Sequence, residues 1–153
     1  LHVRSRRQRQ MCIRDSALAA LTYMAQLNAH HECITIIRIS EKLGISKIYL
    51  EQVFSLLKRA GLVHSIKGAG GGYELASPPE MITVNTILQA VETSLFEHTK
   101  PSSSDPITDK VLMDLVWNKI DQVLLTQLES ITLGQLAREA TRYADNSNYM
   151  FYI

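Results

Sequence analysis

Residues able to do chemistry fall in two short stretches of the chain. His30, His31 and Cys33 carry side chains that bind transition metals. No fourth donor stands at a metal-site spacing, so they are expected to be solvated loop residues. Lys67-Gly68-Ala69-Gly70-Gly71-Gly72 has the glycine content of a phosphate cradle. A P-loop, however, needs Gly-Lys-Ser/Thr opening a helix, and these glycines lie between two short extended runs. His64 and His98 are isolated, and no nucleophile–base pair is visible, which argues against an enzyme. What remains is charge. Between Arg38 and Glu74 stand six cations (Arg38, Lys42, Lys47, Lys58, Arg59, Lys67) and three acids, whereas residues 93–153 hold five cations and eight acids. A locally basic head on an acidic body suits contact with phosphates.

The chain of 153 residues is 46% hydrophobic and 20% charged, enough to bury the core of one ordinary domain. Wholesale disorder is excluded, and no stretch approaches the roughly 20 apolar residues that span a bilayer. Two cysteines, Cys12 and Cys33, make no disulfide framework and fit a reducing, cytoplasmic compartment. Cys33 is expected to be a small thiol rather than a redox sensor, its role left open.

Residues 1–16 (LHVRSRRQRQMCIRDS) hold five arginines and one aspartate, then give way at Ser16/Ala17 to apolar-periodic sequence. At face value such a run is a basic arm for nucleic acid or a targeting peptide. It also resembles sequencing-adapter sequence translated in frame, and we read it as a non-native segment.

The elements follow from residue 17 onward. Ala17–Leu27 is apolar on nearly every side and predicts a buried helix. Thr35 caps a short helix with Ile36, Ile39 and Leu43 at helical spacing, ended by Gly44. Ser46 caps the next, running to about Ala60 with Tyr49, Leu50, Val53, Leu56 and Leu57 inward, and Gly61 ends it. Leu62–Ile66 and Tyr73–Leu75 predict a hairpin with a glycine-rich tip. Thr83 caps a helix through Ile87, Leu88 and Val91, completing a domain over 17–92. Residues 93–109, with two prolines and three serines, are expected to be a linker or sensor loop. Residues 110–140 hold a long amphipathic helix and, opened by the capping box Thr132–Gln135, a short following helix. A tail, 141–153, ends the chain.

Helix, capped helix, glycine turn, capped helix and hairpin, in that order, spell a winged helix-turn-helix. The fold class expected is mainly α with a small β-hairpin wing, plus a long C-terminal dimerisation helix. A helix of about 15 residues, some 22 Å long, fits the major groove of B-DNA. Apolar Val111, Leu112, Leu115, Val116, Ile120, Val123 and Leu124 recur along a lone helix beyond the linker, which calls for a partner copy. Two reading heads would then meet a near-palindromic operator in double-stranded DNA.

The segment from Gly44 to Glu92 closely resembles the DNA-binding module of the Rrf-two (Rrf2) family of bacterial transcriptional regulators. The matching motifs are Tyr49-Leu50-Glu51-Gln52, Ala60-Gly61-Leu62-Val63, Lys67-Gly68, Gly71-Gly72-Tyr73 and Ile82-Thr83-Val84, with Ile131-Thr132-Leu133-Gly134 further on. The resemblance covers roughly residues 17–140. It implies that Glu51 and Gln52 face base edges, a glutamate accepting from cytosine N4 and a glutamine pairing with adenine. Lys67 stands where the family usually carries a wing-tip arginine for the minor groove, with Gly68 and Gly70 beside it. Lysine keeps that charge without the planar fork. Ile48 stands where some members have a polar base contact; thymine-methyl contact and plain packing are both open to it. Ser46, Lys47 and Tyr49 are implied phosphate contacts.

Iron–sulfur members of the family carry three cysteines between the helix after the wing and the dimerisation helix. Glu92–Asp109 has none here, so no cluster, metal or other cofactor is expected. The signal would come from a small-molecule effector or a regulatory enzyme. The reading is therefore a homodimeric, sequence-specific repressor without catalytic activity. The competing reading keeps the winged helix as a scaffold whose acidic C-terminal half binds a metabolic enzyme.

Overall fold

The structure, a computed structural model, describes residues 4–27, 32–97 and 104–149. His30, His31 and His98 lie outside the described residues, as do the side chain of Cys12 and the last four positions. Seven α-helices and one hairpin follow in order: α1 (Arg4–Leu27), α2 (Ile36–Leu43), α3 (Lys47–Arg59), β1 (Val63–Ile66), β2 (Gly72–Leu75), α4 (Val84–Val91), α5 (Pro106–Leu112), α6 (Asn118–Ser130) and α7 (Leu133–Tyr149).

Local signals set the ends of the helices around the turn. The Thr35 hydroxyl accepts from the Arg38 amide and the Ser46 hydroxyl from the Tyr49 amide, so both caps act as their residue types require. Gly44 closes α2 at φ 65°, a left-handed conformation open to glycine at little cost. The Ser40 hydroxyl then donates to the Ile45 carbonyl at 2.6 Å and braces the turn between the two helices. One core gathers Ala17, Ala20, Leu21 and Met24 of α1, Ile36 and Ile39 of α2, and Leu50, Val53, Phe54 and Leu57 of α3. Phe54 takes an inward place not expected for it, and Tyr49 and Leu56 are only half-buried. Phe54 follows Val53 directly, and the two flank the same inward stripe at helical spacing.

The hairpin is antiparallel, pairing Val63 with Leu75 and Ile66 with Gly72. A third backbone segment joins it: Ile34 and Tyr73 exchange both amide hydrogen bonds, at 2.9 and 2.8 Å. Gly72 sits so close to Ile34 that a Cβ there would lie 2.5 Å from its carbonyl oxygen. The Tyr73 ring meets Phe54 with centroids 4.7 Å apart, tying wing to α3.

The C-terminal half departs from expectation in three places. Helix resumes at Pro106, inside the expected linker, because Pro occupies the first helical turn and Asp105 caps it. The Asp105 carboxylate accepts from Thr108 Oγ1 and from the amides of Ile107 and Thr108, which hold it below the usual carboxylate range. A π turn, Met113–Trp117, joins α5 to α6. The last helix is not short: α7 runs 17 residues, past the capping box and through the start of the expected tail. That box forms as its spacing requires, Gln135 N donating to Thr132 Oγ1 and Thr132 N to Gln135 Oε1. Leu133 and Ala137 bury against the domain, and the Thr83–Thr132 bridge fastens α7 to the start of α4. At the other end, α1 continues back to Arg4, since nothing at Ser16/Ala17 breaks a helix. Arg14 pairs with buried Glu92 at 3.8 Å.

Gly72→Ala is expected to destabilise the fold by about 1–3 kcal/mol through overpacking on Ile34. Gly70→Ala, where an added Cβ meets nothing within 4 Å, is expected to be close to neutral. Paired thermal melts check both.

Candidate nucleic-acid interface

Turning about 100° per residue, α3 divides cleanly into two arcs. Leu50, Val53, Phe54 and Leu57 occupy the buried one. Lys47, Ile48, Glu51, Gln52, Ser55, Lys58 and Arg59 spread over the other, about 140° wide, and all are exposed. Ile48 is 72% exposed, so plain packing no longer accounts for it. Ser46 is exposed at the cap. Tyr49 packs on the core, as its inward place in the helical spacing predicts, and its buried hydroxyl oxygen is at odds with the phosphate contact implied by the resemblance.

Lys67, Gly68 and Gly70 are exposed at the wing tip. Gly68 adopts φ 112°, and its carbonyl accepts from the Gly71 amide at 2.9 Å, closing the tip. Two links hold the wing to α3 besides the Phe54–Tyr73 ring contact. The Leu62 amide donates to the Leu57 carbonyl at 3.0 Å, and Lys58 Nζ donates to Ser65 Oγ at 2.7 Å. The sequence counts Lys58 and Arg59 among the cations of the basic head without assigning them to the reading surface, and does not single out Ser55, although their spacing from Glu51 places all three on the same outward arc. On that arc Lys47 Nζ lies 3.7 Å from Glu51 Oε1. The arc thus offers three cations, one acid, one amide, one hydroxyl and one apolar side chain.

A second surface runs along α5, the π turn and α6. Val111, Leu112, Leu115, Val116, Ile120 and Val123 are exposed, with Leu115 at 61% and Val123 at 70%. The π turn takes up one residue more than an α turn, which sets the following helix back by about 100°. That offset brings Ile120 and Val123 round to the side of Ile107, Val111 and Leu115. Leu124 does not join them. It turns inward with Leu125, lining a crevice with Gln89, Leu95, Phe96 and Asp121. α6 is also tied to the reading head by Asn85 Nδ2, which donates to Glu129 Oε1 at 3.3 Å.

Iron is the cofactor a relative would raise, and the donors here do not fit a cluster. The chain has two cysteines, and Cys33 stands beside the wing rather than between α4 and α5. Among the described residues no three His, Cys, Asp or Glu side chains gather as metal ligands. Partial burial, and secondarily the Glu74 carboxylate, push the Cys33 thiol above its ordinary value.

Comparison with known proteins agrees with this geometry. The Rrf2 family model, described as an iron-dependent transcriptional regulator, matches residues 14–139. The HTH-type transcriptional regulator IscR of Aliivibrio salmonicida is 35% identical over 126 residues, covering 80% of this chain and 74% of that protein. Among solved structures, CymR (YrzC), the global cysteine regulator of B. subtilis, superposes with TM-score 0.70 at 29% identity, over 83% of this chain and 94% of the other. IscR of T. potens superposes with TM-score 0.65 at 32% identity, over 84% and 85%.

The raised thiol leads to a pH prediction. A thiol whose value is raised forms its reactive thiolate only at higher pH, so Cys33 should alkylate more slowly than free cysteine at neutral pH. Glu74→Gln removes one cause of the rise and should speed that reaction, as peptide-resolved iodoacetamide labelling would measure.

Proposed function

The chain belongs to the Rrf2 family of DNA-binding transcriptional regulators, and we propose that it acts as a homodimeric, sequence-specific repressor that carries no iron–sulfur cluster. The observation that carries this reading is the outward arc of α3. Exposed Lys47, Ile48, Glu51 and Gln52 present hydrogen-bonding, charged and apolar groups together, which reading of base edges in a major groove requires. Gln52 is the best placed to pair with adenine, and Ile48 to touch a thymine methyl. The wing carries Lys67 to the flanking backbone or minor groove.

The exposed apolar side of α5 and α6 supports the homodimer. A row of branched side chains left in water is costly, and a two-fold copy of the same row covers it. Two α3 helices then meet half-sites one helical turn, about 34–36 Å, or more apart. An occupied operator excludes other proteins from the same groove, the simplest route to repression. The absence of cysteine from Glu92–Asp109 supports a cluster-free sensor answering to a small-molecule effector or a regulatory enzyme. The crevice between α4 and α6 is one seat for such an effector. Among the described residues no helix is long and apolar enough to cross a membrane. A cytoplasmic site of action goes with the proposed role.

Selection of bound duplexes from a random pool tests the reading as a whole. Recovery of one near-palindromic motif supports it, and failure to bind any duplex at low salt favours the interaction-scaffold reading. Gln52→Ala should relax preference at one base-pair position by about 1–3 kcal/mol, read by competition between matched and mismatched duplexes. Lys67→Ala should weaken operator and unrelated duplex by similar factors and lower the log–log salt slope by about 0.9. Leu115→Glu should shift the sedimenting species from dimer to monomer and weaken operator binding by about tenfold or more. Its 61% exposure leaves the fold of the single chain intact.

A further inference from the structure

We propose that Lys47 and Glu51 act as one electrically neutral reading unit, in which Lys47 screens the Glu51 carboxylate inside the groove and so helps set base preference. The inference rests on the reading above that α3 enters the major groove. It departs from the simpler assignment in which Lys47 anchors a phosphate on its own.

The pair is visible before any DNA arrives. Lys47 Nζ and Glu51 Oε1 lie 3.7 Å apart, one helical turn along the outward arc, with the two side chains 55% and 51% exposed. Glu51 is the only acid in α3, and the first turn of the helix carries none. Lys47 therefore stands at the positive end of the helix dipole, where a cation is disfavoured, and the carboxylate one turn on compensates it. Of the other cations on the arc, Lys58 is turned to Ser65 at 2.7 Å. Lys47 is thus the cation the structure pairs with Glu51.

The groove makes this pairing consequential. A bare carboxylate carried between two phosphate strands is repelled by both. With the ammonium held against it the pair adds no net charge, while an ionised carboxylate keeps capacity for a further bond. That bond can be accepted from a cytosine N4 amino group, the only amino donor a cytosine shows in the major groove. Removing Lys47 would leave Glu51 uncompensated, so the loss would fall on sequence preference as well as affinity.

Salt dependence separates the two assignments, because a neutral pair releases no net counterions. The experiment compares wild type, Lys47→Ala, Glu51→Ala and the double variant on a selected operator and an unrelated duplex over a salt series. All sites are exposed helix positions, and unchanged melting temperatures confirm the fold. Lys47→Ala is expected to weaken operator binding by about tenfold and to lose preference at the base pair opposite Glu51. Adding Glu51→Ala is expected to restore the wild-type salt slope and bring unrelated-duplex affinity within about twofold of wild type. A double variant that still lacks about 0.9 of slope, with the two losses simply multiplying, would show an independent phosphate contact and overturn the pair. Absence of any DNA binding by the wild type would overturn the pair together with the reading beneath it.

Discussion

Everything outward on α3 depends on what is buried beneath it. Leu50, Val53, Phe54 and Leu57 are sealed against α1, α2, α4 and β1, and each fully buried side chain of this size contributes about 1.5–3 kcal/mol. Rotating α3 by a single residue position would expose two or more of them. Surface terms cannot compete: an exposed i,i+4 ion pair such as Lys47–Glu51 contributes about 0.3–0.5 kcal/mol. The apolar side of the helix therefore decides where the polar side points. The wing inherits the same frame through Phe54–Tyr73 and through the strand exchange at Ile34.

The polar and apolar surfaces of the chain divide the labour. Cations gather on α2, α3 and the wing, whereas the region from Thr93 onward is acidic. Such a distribution orients the molecule toward a polyanion by one end and keeps the other end from sticking to it. The exposed row on α5 and α6 lies on that acidic body, away from the reading head in sequence but tied to it by Asn85–Glu129 and by the Thr83–Thr132 bridge. A change at the α5–α6 surface thus has a packed route to α4 and the core behind α3.

Much of the reading head was legible in the sequence because its signals are local. Thr35, Ser46 and Thr83 cap where a short polar side chain is followed by a helical pattern, and Gly44 and Gly61 stop helices where a left-handed residue is needed. The Thr132–Gln135 box behaves likewise. What escaped depends on contacts between distant segments or on competing local rules. Pro106 suggested a break because Pro is read first as an interruption, yet its place next to Asp105 suits a helix start. The π turn leaves no mark in residue type, so the true alignment of Ile120, Val123 and Leu124 could not be counted along an ideal helix. Helical spacing places Tyr49 inward while the resemblance implies a phosphate contact, and its packing on the core follows the spacing. The closeness of Ile34 to Gly72 belongs to the tertiary fold alone. So does the placement of Lys58 against Ser65.

The central claim, that the outward arc of α3 meets base edges in the major groove, is tested most directly by probing guanine N7 on a bound duplex. Dimethyl sulfate methylates that atom only from the major groove. The account predicts two symmetric patches of protection, one in each half-site and separated by a helical turn or more. Uniform reactivity at every guanine N7 in a duplex that the protein nonetheless holds would contradict it, since the contacts would then lie on the backbone or in the minor groove alone.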